Sequence, residues 1–309
     1  MSNPRSRVND YLIYLTVRVV ICFIQMMSYA TARRCADRLA WLAYHLDRRH
    51  HRVALDNLKL SLPEIKDDRR RDRVVRAVYR HFCLLLVEII QVPRKLHPTN
   101  WRQHLDLAGG RQLVDALLSD RPLLLVTGHF GNWELGGYVL GLLGFNTYAI
   151  ARTLDNPYLD DFLRGFRQRT GQKVLAKNDD FANIQAVLAN RGVLATLADQ
   201  DAGARGPFVE FFGRPASTHK AVALLALEYQ VPMLVIGTPR VGEPMKYQVV
   251  AEELILPEEY AGQPDAVRGM TQRFTAALER VVRRFPEQYF WLHRRWKHQP
   301  APRKARRAA

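Results

Sequence analysis

A four-residue apolar run, Leu123 to Val126, stops at Thr127-Gly128 and is followed by His129, Phe130, Gly131, Asn132, Trp133 and Glu134. A run this short, bounded by turn residues, predicts a buried strand. Gly128 and Gly131 admit a tight turn and close backbone approach. Asn132 is a good helix N-cap, and Glu134 then falls in the first helical turn, where a carboxylate suits the positive end of the dipole. A strand–turn–helix unit of this kind puts His129 at the carboxyl end of a strand, where open α/β sheets hold their ligands.

The spacing carries chemistry. On one continuous helix His129 and Glu134 would point about 140° apart, whereas across a turn into a helix they can meet. A carboxylate on one imidazole nitrogen fixes the tautomer and leaves the other nitrogen as a base for a substrate hydroxyl. The nearby helix N-terminus is expected to disfavour the imidazolium and keep that base neutral at pH 7. No Ser or Cys lies between the two, so nothing local suggests an enzyme nucleophile. With 10 His and 30 acidic residues in 309, about one His-x4-acid pair arises by chance. His51 and Asp56 form such a decoy, without strand or glycine, in a basic helical stretch.

From Trp101 onward short apolar strands alternate with helices of about 8–14 residues, the pattern of an α/β sheet. Strands are predicted at 105–108, 123–126, 147–151, 173–176, 193–198, 233–238 and 247–256. Helices are predicted at 111–118, 132–143, 156–169, 181–189, 218–229 and 265–284. Residues 31–92 read as helices throughout. Tyr11 to Ala30 is mostly apolar, of bilayer-spanning length, with Arg18 near its middle. A tilted span or an interfacial helix with Arg18 snorkelling would relieve that charge. Basic residues flank both ends, so orientation is not settled by charge. The expected organisation is a membrane-anchoring helical region at 1–100, an α/β domain at 101–298 and a basic, disordered tail at 299–309.

The chain carries 46 Lys+Arg against 30 Asp+Glu, a net charge of +16. That excess implies an anionic partner: nucleic acid, anionic lipid or an acidic carrier protein. Cys22, Cys35 and Cys83 have no ligand spacing and read as small core hydrophobes in a reducing compartment.

Four further stretches join the first. Arg152 follows a strand and opens a helix, as an anion anchor or a capping ion pair. Asp199 and Arg205 sit at another strand end, in a Gly-rich loop; Asp199, Asp201 and Glu210 match no metal-loop spacing, so no metal is expected. Phe208, Phe211 and Phe212 could line an acyl-chain cavity or belong to the core. Ser217 or Thr218 caps the next helix, where neutral Oγ and N–H groups could support an oxyanion. Tyr289 to Lys297 interleaves aromatics with bases, as in a nucleic-acid-stacking or membrane-interface segment.

Together these pieces resemble the lipid A biosynthesis acyltransferases, the late lauroyl/myristoyl transferases of the lysophospholipid acyltransferase superfamily. The matching residues are Gly128 to Leu135, Arg152 with Asn156-Pro157, Asp199-Gln200 through Gly203, Arg205-Gly206, Phe211 to Gly213 with Pro215-Ala216, and Trp291 to Lys297. The resemblance implies a mixed central sheet flanked by helices, glycerolipid-acyltransferase-like, with an N-terminal membrane-associated helical region. It implies an inner-membrane enzyme facing the cytoplasm, with an acyl-carrier-protein thioester (or acyl-CoA) as co-substrate, no other cofactor, and a glycolipid acceptor in anionic lipid. His129 becomes the base of an HX4(D/E) motif and Glu134 its partner. Arg152, Asp199, Arg205, Asn132 and Gly131 become substrate-binding residues. Phosphatidylinositol-mannoside acyltransferases share the family, so another acceptor stays open.

In the expected reaction the acceptor oxygen attacks the thioester directly, and N–H groups near Gly128–Gly131 or the Thr218 cap hold the oxyanion. Two rivals remain: a basic nucleic-acid-binding protein, which leaves the apolar N-terminus unexplained, and a thioester or lipid hydrolase using the same pair.

Overall fold

Leu123 to Val126 are all buried, as a strand covered on both faces must be. The computed structural model describes residues 6–176, 181–242 and 244–300; most of the predicted basic tail lies outside them.

Four helices come first: α1 (Arg7–Met26), α2 (Tyr29–Leu46), α3 (Arg48–Ser61) and α4 (Asp68–Lys95). The short α5 (Trp101–His104), β1 (Leu105–Asp106) and α6 (Arg111–Leu117) lead into β2 (Leu123–Thr127). Strand and helix then alternate: α7 (Trp133–Leu142), β3 (Thr147–Ala151), α8 (Pro157–Gln168), β4 (Lys173–Ala176), α9 (Phe181–Ala189) and β5 (Val193–Leu197). A hairpin of β6 (Phe208–Phe211) and β7 (Arg214–Ser217) precedes α10 (Ala221–Glu228) and β8 (Met233–Gly237). The last elements are β9 (Tyr247–Gln248), β10 (Val250–Ile255) and α11 (Ala266–Arg284).

The expected mixed α/β sheet is present, in the order β10-β8-β2-β5-β3-β4, with β10 antiparallel to β8 and the other pairs parallel. Thr127 of β2 lies opposite Leu197 of β5, so the loops after these two strands open side by side. The helical N-terminal part shares the sheet's core: Ala54, Leu58 and Val78 pack in one cluster with Leu124, Val126 and Trp291.

The predicted strand 105–108 shortens to Leu105–Asp106, and two other elements differ more. The predicted strand 247–256 is two strands: β9 pairs with β1, and β10 pairs with β8 through an irregularity between Ala251 and Glu253. The predicted helix at Thr218 begins only at Ala221, without a side-chain cap. Ser217 ends β7, because the Arg295 guanidinium takes the Ser217 carbonyl (2.5 Å) and the Thr218 hydroxyl (2.6 Å). Cys22 and Cys35 are exposed, not core, and Cys83 is half-buried.

Candidate active site

Asn132 caps α7 as predicted, its Oδ1 accepting from the Leu135 amide at 3.0 Å. Gly131 has φ +59°, and a Cβ there would stand 2.3 Å from the Thr238 carbonyl oxygen, so only glycine fits. A Cβ on Gly128 would press against the Asp199 carboxyl at 3.1–3.2 Å. These glycines let the 128–132 loop fold tightly over the ends of β2 and β5.

The carboxylate that holds His129 is Asp199, not Glu134. Asp199 Oδ1 lies 2.8 Å from His129 Nδ1, and Oδ2 accepts the His129 backbone N–H at 2.9 Å. Asp199 is 2% exposed, at the end of the strand adjoining β2. The His129 ring is partly exposed, and among the described residues its Nε2 has no hydrogen-bond partner. Trp133 and Phe290 flank the ring with centroids at 5.3 and 6.1 Å. Phe290 N–H donates to the His129 carbonyl at 3.0 Å, tying the C-terminal segment to the loop.

Burial works against the imidazolium, but the Asp199 charge, its hydrogen bond and the Glu134 charge outweigh it and raise His129 above its ordinary value. Burial alone would lift the Asp199 carboxyl, yet the His129 charge and hydrogen bonds hold it well below the usual carboxylate range. The expectation of a base kept neutral by the helix terminus is therefore reversed in direction.

Glu134 is near enough for its charge to reach His129, but its hydrogen bonds go to Arg167 of α8, from Nε at 3.0 Å and Nη2 at 2.5 Å. Both side chains are largely buried. The pair borders a cavity of about 70 Å³ between α7 and the sheet, lined also by Trp133, Leu125, Leu140 and Ile236.

The other predicted site residues divide. Asn132 is buried, its amide facing Glu88 and Tyr247 at 3.3 Å each, so it braces the loop and is closed to ligand. The N–H groups of residues 129–132 are all taken: by Asp199, Gly128 O, Gln288 O and Thr238 O respectively. The Thr218 N–H bonds Pro207 O, and its hydroxyl is held by Arg295 and Ala216 O. The N–H groups of residues 129–131 and the Thr218 cap are therefore not left for an oxyanion. Arg152 is exposed beside Asp155 at 3.3 Å, and Arg205 is exposed in its turn. Among the described residues neither bonds His129, Glu134 or Asp199. Phe211 and Phe212 are core, as are Tyr289, Trp291 and Trp296, so these rings form neither an acyl cavity nor a stacking surface. The decoy His51 bonds Asp72 at 3.1 Å, not Asp56.

Three groups were not foreseen. Arg167 is the first. The second is the C-terminal cluster of Tyr289, His293 and Arg295, close enough behind Asp199 to feel its charge. The third is a buried clamp under the loop. Arg240 donates to Glu88 through Nε (2.7 Å) and Nη2 (2.5 Å), and its Nη1 lies 2.9 Å from His81 Nδ1. His81 Nε2 lies 3.2 Å from the Gly131 carbonyl oxygen. Burial, then the Arg240 charge, push His81 down to about 3, so it is neutral. The signal was Glu88, a lone acid in the apolar run of α4, which has to find a partner.

A family model described as bacterial lipid A biosynthesis acyltransferase matches residues 2–298. The chain belongs to that family. It is 27% identical over 298 residues to the lipid A biosynthesis lauroyltransferase of Escherichia coli K12, covering 94% of this chain and 92% of the relative. It is 25% identical over 283 residues to the palmitoleoyltransferase of the same organism, covering 91% and 86%. A phosphatidylinositol mannoside acyltransferase of Mycobacterium tuberculosis H37Rv is 27% identical over 152 residues, 48% of each chain. The enzyme is thus an acyltransferase, as the sequence motifs implied.

Proposed function

We propose that this enzyme transfers a fatty acyl chain from a carrier thioester to a hydroxyl of a lipid A-type glycolipid at the inner membrane, with His129 as general base. The observation that carries this reading is the Asp199–His129 pair with Nε2 directed away from the carboxylate. Asp199 fixes Nδ1 as the protonated nitrogen and leaves the Nε2 lone pair for the acceptor hydroxyl. The acceptor oxygen attacks the thioester carbonyl as its proton passes to Nε2. The tetrahedral intermediate collapses, the C–S bond breaks, and the imidazolium returns the proton to the departing thiolate. Trp133 and Phe290 are not nucleophiles, and the Asp199 carboxylate is buried with both oxygens bonded to His129, which supports direct transfer without an acyl-enzyme.

The N–H groups of Trp133 and Glu134, at the start of α7, lie where a helix terminus stabilises developing negative charge. The apolar cavity beside Glu134 and Arg167 suits the proximal part of an acyl chain. Arg152 and Arg205, exposed at neighbouring strand ends, suit phosphates of the acceptor or the carrier. The basic surface and +16 charge fit anionic lipid and an acidic acyl carrier protein.

The test uses purified enzyme with radiolabelled acyl-carrier protein, with and without the glycolipid. Label should move to the glycolipid. Free fatty acid formed equally in both reactions would replace the transferase reading with a hydrolase.

A further inference from the structure

α1 is the one helix among the described residues long and apolar enough to cross a membrane. Its 20 residues reach about 30 Å at 1.5 Å per residue, the thickness of a bilayer's hydrocarbon core. A spanning helix leaves its two ends on opposite sides. Here both ends are fastened to the same folded body.

Near the start, the Asp10 carbonyl accepts from Asn156 Nδ2, the N-cap of α8, at 2.9 Å. Tyr11 and Tyr14 pack on Tyr158 of α8 at 5.3 and 6.0 Å. In the middle, the Arg18 guanidinium bonds Tyr14 Oη at 2.9 Å and lies over Phe162 at 4.9 Å. At the far end, Gln91 Nε2 of α4 donates to the carbonyls of Ile24 (2.9 Å) and Met27 (3.1 Å), and Arg94 Nη1 to that of Gln25 (2.5 Å). α8 bears Asp160, Asp161, Arg164 and Arg167, charges that a hydrocarbon core does not accept. Wherever α8 lies, α1 lies beside it.

The side of α1 turned away from α8 and α4 is apolar. Val8, Leu12, Leu15, Val19, Phe23 and Met26 are all exposed and recur at helical spacing in one stripe. After the Ser28-capped break, Leu39, Leu42 and Leu46 form a second exposed apolar stripe along α2, beside the exposed Arg34 and Arg38. An apolar stripe edged by arginine is the pattern of a helix lying in an anionic headgroup layer.

We propose that α1 lies in the plane of one anionic leaflet and does not cross it, with the α2 stripe extending the same footprint. Arg18 then faces Phe162 and Tyr14 instead of lipid, which removes the cost its charge would impose on a span. The inference rests on the membrane location proposed above but not on the chemistry of His129. It places the N-terminus and the catalytic domain on the same side.

Two measurements test it. Ser6→Cys and, separately, Ser119→Cys on the domain surface are introduced into a Cys22→Ser, Cys35→Ser, Cys83→Ala background. Each is treated with membrane-impermeant maleimide in sealed inverted inner-membrane vesicles, before and after permeabilisation. Equal labelling of both before permeabilisation is expected. Ser6→Cys protected until permeabilisation, with Ser119→Cys open, would overturn the proposal. The second measurement retains the native cysteines, and the full chain first has to co-sediment with phosphatidylglycerol/phosphatidylethanolamine vesicles. Absence of co-sedimentation would sink the membrane reading itself. Val8→Trp, Leu15→Trp and Met26→Trp should each add the same quenching, relative to the parent, with lipid brominated near the headgroup. A maximum at Leu15→Trp with lipid brominated near the chain end, and little at the other two, would establish a span instead.

Discussion

Asp199 grips His129 twice, through Nδ1 at 2.8 Å and through the backbone N–H at 2.9 Å. One carboxylate thereby fixes both the ring and the loop that carries it. His129→Ala removes the proposed base, and a positioned general base contributes about 10²–10⁴-fold in rate. The loss should appear in kcat with the glycolipid acceptor, while circular dichroism stays unchanged. Asp199→Asn should lose a comparable factor, because an amide no longer stabilises the imidazolium formed during transfer. Wild-type turnover in Asp199→Asn would return the orienting role to another group.

The pH profile follows from the same pair. In the proposed mechanism the active form is neutral His129, whose pKa is raised above the ordinary value of about 6.5. The acid limb of kcat/KM should therefore lie above pH 6.5, with activity rising as pH rises through it. In Asp199→Asn the main raising influence is gone while burial remains, so the limb should move to lower pH. Residual transfer across pH 5–9 would be the measurement, and an unmoved limb would assign it to another group.

Much of this arrangement was legible from local sequence. The Leu123–Val126 run, the two glycines and Asn132 foretold the strand, turn and capped helix. The motif also placed His129 and Glu134 near each other. It could not say which carboxylate would bond the ring. Asp199 is 70 residues away and reaches His129 only because β5 lies next to β2. Strand order is a tertiary fact with no local signature. The Tyr289–Lys297 segment was misread for a related reason: its aromatics and bases look like a surface, and only the bridge from Tyr289 to Phe130 and the packing of Trp291 reveal a core strap.

Glu134 should affect stability more directly than proton transfer. Glu134→Gln strands the largely buried Arg167 guanidinium, and breaking such a pair costs about 3–5 kcal/mol. Glu134→Leu with Arg167→Met removes both charges and should recover most of that loss. Urea unfolding in detergent gives both values. If the double variant is no more stable than Glu134→Gln, the two residues are not an energetic pair.

The clamp beneath the loop makes a longer-range prediction. Glu88 is fully buried, and its two carboxylate oxygens take Arg240, with Tyr29 Oη at 3.2 Å and Asn132 Nδ2 at 3.3 Å completing the shell. The Gln288 side chain in turn grips the Arg240 backbone, accepting from its N–H at 2.8 Å and donating to its carbonyl at 2.9 Å. Gln288 O accepts the Gly131 N–H at 3.0 Å. Three separate parts of the chain thus meet under the His129 loop. Glu88→Gln keeps the shape but leaves the Arg240 charge buried and unmatched, at a cost of about 3–5 kcal/mol. Because Asn132 and Gly131 lose their common support, kcat should fall in protein that remains folded, with KM for the acyl donor little changed. Glu88→Asp, which keeps the charge on a shorter arm, should recover part of the stability and part of kcat together. A Glu88→Gln enzyme with full kcat would show that the loop holds its geometry without the clamp.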